Sequence, residues 1–211
     1  MLYQSTFLYV QNLLEVVGIL AFAISGMMAG FKRQMDIVGI AMVSGLTAFG
    51  GGSLRDILLD RRPLFWFEHS YWLLVIIAMV IIAVWFVRNR HIDYTLRMIE
   101  VPDAIGLALF TILGIQVAIQ QNLPWLVCIL MGVISATFGG VLRDIVCGEK
   151  PQLFFDHKPY AIIAFLGGLL YVSLLILIDV NYFAEIVTFV VIVFLRLFSL
   201  YRGWSLFKAK L

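Results

Sequence analysis

The chain has 211 residues, of which 63% are hydrophobic and only 13% charged, with a mean hydropathy of +1.01. Soluble domains are closer to half apolar and a quarter charged, and disordered chains are poorer still in apolar residues, so both classes are excluded and a polytopic membrane protein remains. Fifteen Lys and Arg against thirteen Asp and Glu leave a formal charge of +2, too balanced for a nucleic-acid partner or a polybasic lipid-binding tail.

Apolar runs between polar breaks predict an all-α integral membrane protein with seven transmembrane helices. The first covers Phe7–Gly30 and carries Glu15 and the Gly26-x-x-x-Gly30 spacing that suits close helix packing. No basic stretch precedes it, so it is read as a retained span rather than a cleaved signal. The second, Asp36–Leu59, holds Thr47 and the run Gly50-Gly51-Gly52-Ser53-Leu54-Arg55-Asp56. The third is Ser70–Val87, and the fourth, Val101–Gln120, opens on Asp103. The fifth, Trp125–Val146, contains Ser135, Thr137 and the run Phe138-Gly139-Gly140-Val141-Leu142-Arg143-Asp144. The sixth and seventh are Pro159–Ile178 and Tyr182–Tyr201. Glu185 and Arg196 lie near the ends of the seventh and are expected to snorkel to the interfaces. Trp66, Trp72, Trp85, Trp125 and Trp204 fall near span ends, as an aromatic belt requires. Cys128 and Cys147 read as packing residues; with three scattered histidines they form neither a disulfide framework nor a zinc pattern, so no metal or cofactor is expected.

Basic residues orient the chain. One face gathers Lys32, Arg33, Arg88, Arg90, Arg97, Lys150, Lys158, Arg202, Lys208 and Lys210, and the other only Arg61 and Arg62. The N-terminus is therefore expected outside and the C-terminus in the cytoplasm.

A shift of 88 residues aligns two stretches without a gap. It superposes Gly18 on Gly106, Phe22 on Phe110, Gly26 on Gly114, Gly51-Gly52 on Gly139-Gly140, Arg55-Asp56 on Arg143-Asp144, Pro63 on Pro151 and His69 on His157. Glu15 meets Asp103, and Glu68 meets Asp156. Over residues 15–69 about 14 of 55 positions are identical, well above what biased composition produces at one shift. Each unit holds three spans, so the second must be inverted relative to the first. Three regions follow: residues 1–95, a first three-helix repeat; 96–180, a second, inverted one; and 181–211, a seventh helix packed peripherally, with a cytoplasmic tail. His69 and His157 then lie on opposite faces and cannot share a metal.

Glycine runs at matching positions in two inverted halves point to helix breaks and a transport path near the bilayer midplane. Carbonyls freed there attract a cation, and freed N–H groups attract an anion or carboxylate. Thr47, Ser53, Ser135 and Thr137 either line that path or satisfy their own helix. Arg55, Asp56, Arg143 and Asp144 either meet the permeant species or pin the broken helices. Neighbouring residues on a helix point about 100° apart, so these arginines are expected to pair across elements, with Glu15 and Asp103, or across subunits, rather than with the adjacent aspartate. Glu15 and Asp103 are equally readable as ion-attracting vestibule carboxylates. No nucleophile–base set, HExxH or P-loop is present, so an enzyme is not expected.

At the duplicated Phe/Gly-Gly-Gly-x-Leu-Arg-Asp elements the chain resembles a bacterial inner-membrane family with two tandem glycine-transporter-type domains. It is similar to the prokaryotic members of the trimeric intracellular cation (TRIC) channels. The resemblance covers spans one to six. It implies a homotrimer among membrane lipids, with a pore in each subunit between kinked spans 2 and 5 that passes potassium and other monovalent cations. Gly50, Gly51, Gly52, Gly139 and Gly140 would be the kink positions, and Arg55, Asp56, Arg143 and Asp144 the adjoining charges. Phe138 stands where the first copy has Gly50, a departure from symmetric kinks. The family's name carries the alternative of glycine or another small amino acid as the transported species.

Overall fold

The computed structural model describes residues 2–88, 96–155, 159–178 and 181–204. Arg90, Asp156, His157, Lys158, Lys208 and Lys210 of the sequence reading lie outside them. The described residues form nine helices: α1 (Leu2–Lys32), α2 (Ile37–Leu58), α3 (Phe65–Glu68), α4 (Tyr71–Arg88), α5 (Leu96–Gln120), α6 (Trp125–Val146), α7 (Gln152–Phe155), α8 (Tyr160–Ile178) and α9 (Asn181–Arg202). Six of them, α1, α2, α5, α6, α8 and α9, are long and apolar enough to cross a membrane. The apolar part of α4, Tyr71–Phe86, is shorter. Helix α5 begins before the expected Val101 and carries Pro102 inside it. The four-residue helices α3 and α7 were not foreseen; neither is long enough to show a period.

The order long, long, short, long occurs twice, and the helices stop at equivalent places. Asp36 caps α2, its side chain accepting from the Gly39 N–H at 2.7 Å. Gln34 and Asn122, 88 residues apart, both adopt positive φ after α1 and α5, and Asp60 and Gly148 do so after α2 and α6. At each stop the next N–H reaches back to a carbonyl in the last turn: Met35 to Gly30, Leu123 to Ala118, Arg61 to Asp56, and Glu149 to Asp144. This left-handed closure satisfies carbonyls that a helix end otherwise orphans.

Helices α1, α2, α5 and α6 form the central bundle, with α4 on α2 and with α8 and α9 on α5 and α6. Small residues set the approach distances. A Cβ at Gly26 would stand 2.8 Å from the Val43 carbonyl oxygen, and one at Gly114 2.7 Å from that of Met131, so α1 packs on α2 as α5 packs on α6. A Cβ at Gly51 would collide with the Ser135 carbonyl, and one at Gly139 with the Thr47 carbonyl. Thr47 and Ser135 are themselves 88 residues apart, so the contact is reciprocal, as a two-fold relation between halves produces.

Two expectations are corrected here. The glycine runs do not break their helices: α2 and α6 are helical through Gly50, Gly51, Gly52, Gly139 and Gly140. Glycine weakens a helix, but contact between two backbones offsets that loss. Glu185 and Arg196 do not snorkel; they are 6% and 0% exposed, because α9 turns that face onto α5 and α8. The outer surface carries large apolar residues, among them Leu74, Ile82, Trp85 and Leu177. A groove of about 850 Å³ with an almost wholly apolar lining opens between α2, α4 and α6.

Gly51→Ala should lower the free energy of unfolding in detergent micelles by about 1–3 kcal/mol, because two backbones must separate. Gly45, with nothing within 4 Å of an added Cβ, is the control. Gly45→Ala should be neutral or slightly stabilising, and equal losses at both positions would refute the backbone-contact account.

Candidate functional site: two charge knots flanking a helix crossing

The C-terminal turn of α2 delivers Arg55 into the bundle with no exposed surface. Its Nη2 donates to Glu15 Oε1 at 3.2 Å and its Nε to Asp56 Oδ1 at 2.8 Å. The equivalent turn of α6 delivers Arg143, 2% exposed. Its Nη1 donates to Asp103 Oδ1 at 2.6 Å, and its Nε to Asp144 Oδ1 at 3.0 Å. The cross-element partners are those the charge pattern pointed to. Pairing with the adjacent aspartate is a correction: the 100° between neighbours fixes where the Cβ atoms point, whereas an arginine side chain is long enough to curl back across that angle.

Each knot sets one guanidinium against two carboxylates, a formal charge of −1. Charges removed from water need such pairing. A glycine lies against each guanidinium group. A Cβ at Gly52 would stand 3.8 Å from Arg55 Nη2, and one at Gly140 3.7 Å from Arg143 Nη2 and 3.6 Å from Asp103 Oδ1. The five motif glycines thus divide. Gly51 and Gly139 carry the crossing, Gly52 and Gly140 lie under the guanidinium groups, and Gly50 receives the Leu142 side chain at 2.5 Å from its would-be Cβ.

The hydroxyls divide as well. Thr47 donates to the Val43 carbonyl at 2.6 Å and Thr137 to the Val133 carbonyl at 2.8 Å, each within its own helix. Ser53 Oγ accepts from Trp66 Nε1 at 3.0 Å, which ties α3 to α2. Ser135 Oγ is buried with no hydrogen-bond partner among the described residues.

Small clefts lie on either side. One is lined by Glu15, Ser53, Asp56, Trp66 and Phe110, the other by Lys32, Arg143, Asp144, Glu149 and Gln152. At the second, Arg33 Nη2 meets Glu149 Oε1 at 2.7 Å and Lys32 Nζ meets the same oxygen at 3.5 Å. No group of three or more His, Cys, Asp or Glu among the described residues is arranged to hold a metal ion.

The second knot has additions that the repeat did not announce. Ser25 Oγ accepts from Arg143 Nη1 at 2.7 Å and donates to the Ile99 carbonyl at 3.0 Å. Its equivalent is Leu113, and Arg55 Nη1 has no partner among the described residues. The Gln152 N–H donates to Asp144 Oδ2 at 2.9 Å, while its Oε1 accepts from Arg196 Nη2 at 3.1 Å. Arg196 also stacks 4.4 Å over the Tyr160 ring. A polar residue facing a leucine in the self-alignment marks both Ser25, opposite Leu113, and Gln152, opposite Leu64; Arg196, outside the repeat, has no such signal.

Arg143→Met should cost about 3–5 kcal/mol of stability, because it strands Asp103 and Asp144 without a counter-charge. Arg143→Lys, which keeps the charge but loses the planar fork, should fall between that variant and the parent. Thermal unfolding in one detergent checks the order, and equal midpoints for Met and Lys would contradict it.

Comparison with known proteins bears on this geometry. The family described as "Glycine transporter" matches twice, at residues 12–88 and 100–175, two segments that start 88 residues apart. The UPF0126 inner membrane protein YadS of Escherichia coli K12 is 33% identical over 76% of each chain. The UPF0126 membrane protein YvgT of Bacillus subtilis is 34% identical over 92% of this chain and 94% of its own. Among solved structures, the TRIC trimeric intracellular cation channel orthologue of Rhodobacter sphaeroides superposes with a TM-score of 0.84 at 31% identity, over 92% of this chain and 99% of that one. A prokaryotic TRIC channel determined in 0.5 M KCl gives 0.84 at 29% identity, over 94% and 99%. The duplicated Gly-Gly-x-Leu-Arg-Asp turns, the two knots and the fold have one common assignment: this chain is a membrane protein of the UPF0126 glycine-transporter family, with the fold of the TRIC cation channels.

Proposed function

We propose that the chain is a monovalent-cation channel, with potassium as its principal ion, working as a homotrimer in the bacterial inner membrane. The observation that carries this reading is the pair of equivalent knots, each formally −1, at the two ends of the α2–α6 crossing. Excess carboxylate in both knots of a low-dielectric bundle draws cations and repels anions. The likeness to solved cation channels at 31% identity supports it.

In this reading α4 is the seventh span, residues 1–95 and 96–180 are inverted repeats, and 181–211 add the last helix and tail. The N-terminus lies outside, so the Glu15–Arg55–Asp56 knot faces out and the Asp103–Arg143–Asp144 knot faces the cytoplasm. Each subunit has its own path beside the α2–α6 crossing. Motion at Gly50, Gly51, Gly52, Gly139 and Gly140 opens it, and Ser53 and Ser135 contribute oxygens along it. Thr47 and Thr137 join when their hydroxyls turn from their own helices.

Uptake of glycine is the second reading, favoured by the family's description. A zwitterion's carboxylate needs freed backbone N–H groups, and α2 and α6 stay helical through their glycines. The channel reading requires no such groups.

Purified protein in planar bilayers should give discrete currents in a KCl gradient that reverse near the potassium equilibrium potential. Proteoliposomes made from the same preparation should take up no more labelled glycine than empty vesicles. Saturable glycine accumulation without current would overturn the channel in favour of the carrier.

A further inference from the structure

Between the two knots, α1 and α5 bring Phe22 and Phe110 face to face. Ring centroids are 5.2 Å apart and the planes 13° from parallel, and each residue is 1% exposed. The two are equivalent by the 88-residue shift, so the stack lies where the halves meet. Each ring fills a notch left by a glycine of the other half. The Phe110 ring stands 2.9 Å from a would-be Cβ of Gly18, and the Phe22 ring would overlap one at Gly106. The rings also reach the crossing helices: Phe110 lies 3.6 Å from a Cβ at Gly52, and Phe22 3.7 Å from one at Gly139. Phe110 lines the same cleft as Glu15 and Asp56.

The backbones of α2 and α6 touch at Gly51 and Gly139, so no ion passes directly between them. The Phe22 and Phe110 rings stand between that crossing and the α1–α5 pair. A cation drawn to the cleft by Glu15 and Asp56 therefore meets an aromatic face next. The attraction of a ring for a cation is small beside the cost of stripping the ion's water in an apolar interior.

We infer that the Phe22–Phe110 stack is the barrier to ion passage through each subunit, and that conduction requires the two rings to part. The inference rests on the channel reading and adds to it the residues that close the path. Because each ring is seated in the opposite half's glycine notch, parting them requires α1 and α5 to shift against one another. The stack thereby couples the closed path to the relation between the halves.

The test compares potassium currents from the full chain with those of Phe22→Ala, Phe110→Ala and the double variant, each checked for folding by size-exclusion chromatography. Ile129→Ala, in a separate part of the core, controls for loosened packing. Open probability should rise about tenfold in the double variant, the effect of shifting the closed–open equilibrium by about 1.4 kcal/mol, and stay unchanged in the control. Phe22→Leu/Phe110→Leu, which keeps apolar bulk, serves if the alanine variants misfold and should give a smaller rise. Currents from the parent that the ring substitutions leave unaltered would overturn the barrier while leaving the channel intact. A silent parent with conducting variants would support the barrier, and silence from every well-folded protein would overturn both.

Discussion

Two helix backbones meet in the middle of this protein with no side chain between them. The contact of α2 with α6 at Gly51 and Gly139 fixes how near the halves can come, and the other central features follow from it. A side chain at either position would push the helices apart by the width of a methyl group. The Phe22–Phe110 stack would then lose its second wall, since the rings lie between the crossing and the α1–α5 pair. The guanidinium groups lie beside the same crossing, with Gly52 next to Arg55 and Gly140 next to Arg143 as they reach their carboxylates.

Polar pairing closes the two ends of the bundle differently. Arg55 meets two carboxylates and keeps one nitrogen unpartnered. Arg143 meets two carboxylates and a hydroxyl, and its neighbour Asp144 is tied through Gln152 to Arg196 on α9. The second half is the more heavily braced, because only it has the ninth helix at its back. Low dielectric makes each added partner matter more than it would at a surface.

A nearly gap-free duplication shows in the helix stops as clearly as in the charges. Left-handed residues at 34, 60, 122 and 148 end four helices two by two, although only one of the four, Gly148, is glycine. Backbone geometry has been kept where side chains have diverged. The halves differ at most aligned positions, among them Ser25 against Leu113, Gly50 against Phe138 and Phe49 against Thr137.

Composition by itself determined the membrane class, because no soluble core or solvated coil accommodates this apolar fraction. Apolar run length placed the long helices to within a few residues, since the bilayer sets their length, and the 88-residue shift located both knots and named Glu15 and Asp103 as partners of the arginines. What the glycines do was decided only in three dimensions. Residue type tells that a backbone is bare, not whether the space beside it is taken by water, by an arginine or by a second backbone. The same limit hid Glu185 and Arg196, whose burial depends on which neighbours α9 meets, and neither periodicity nor spacing within one helix records what lies across from it.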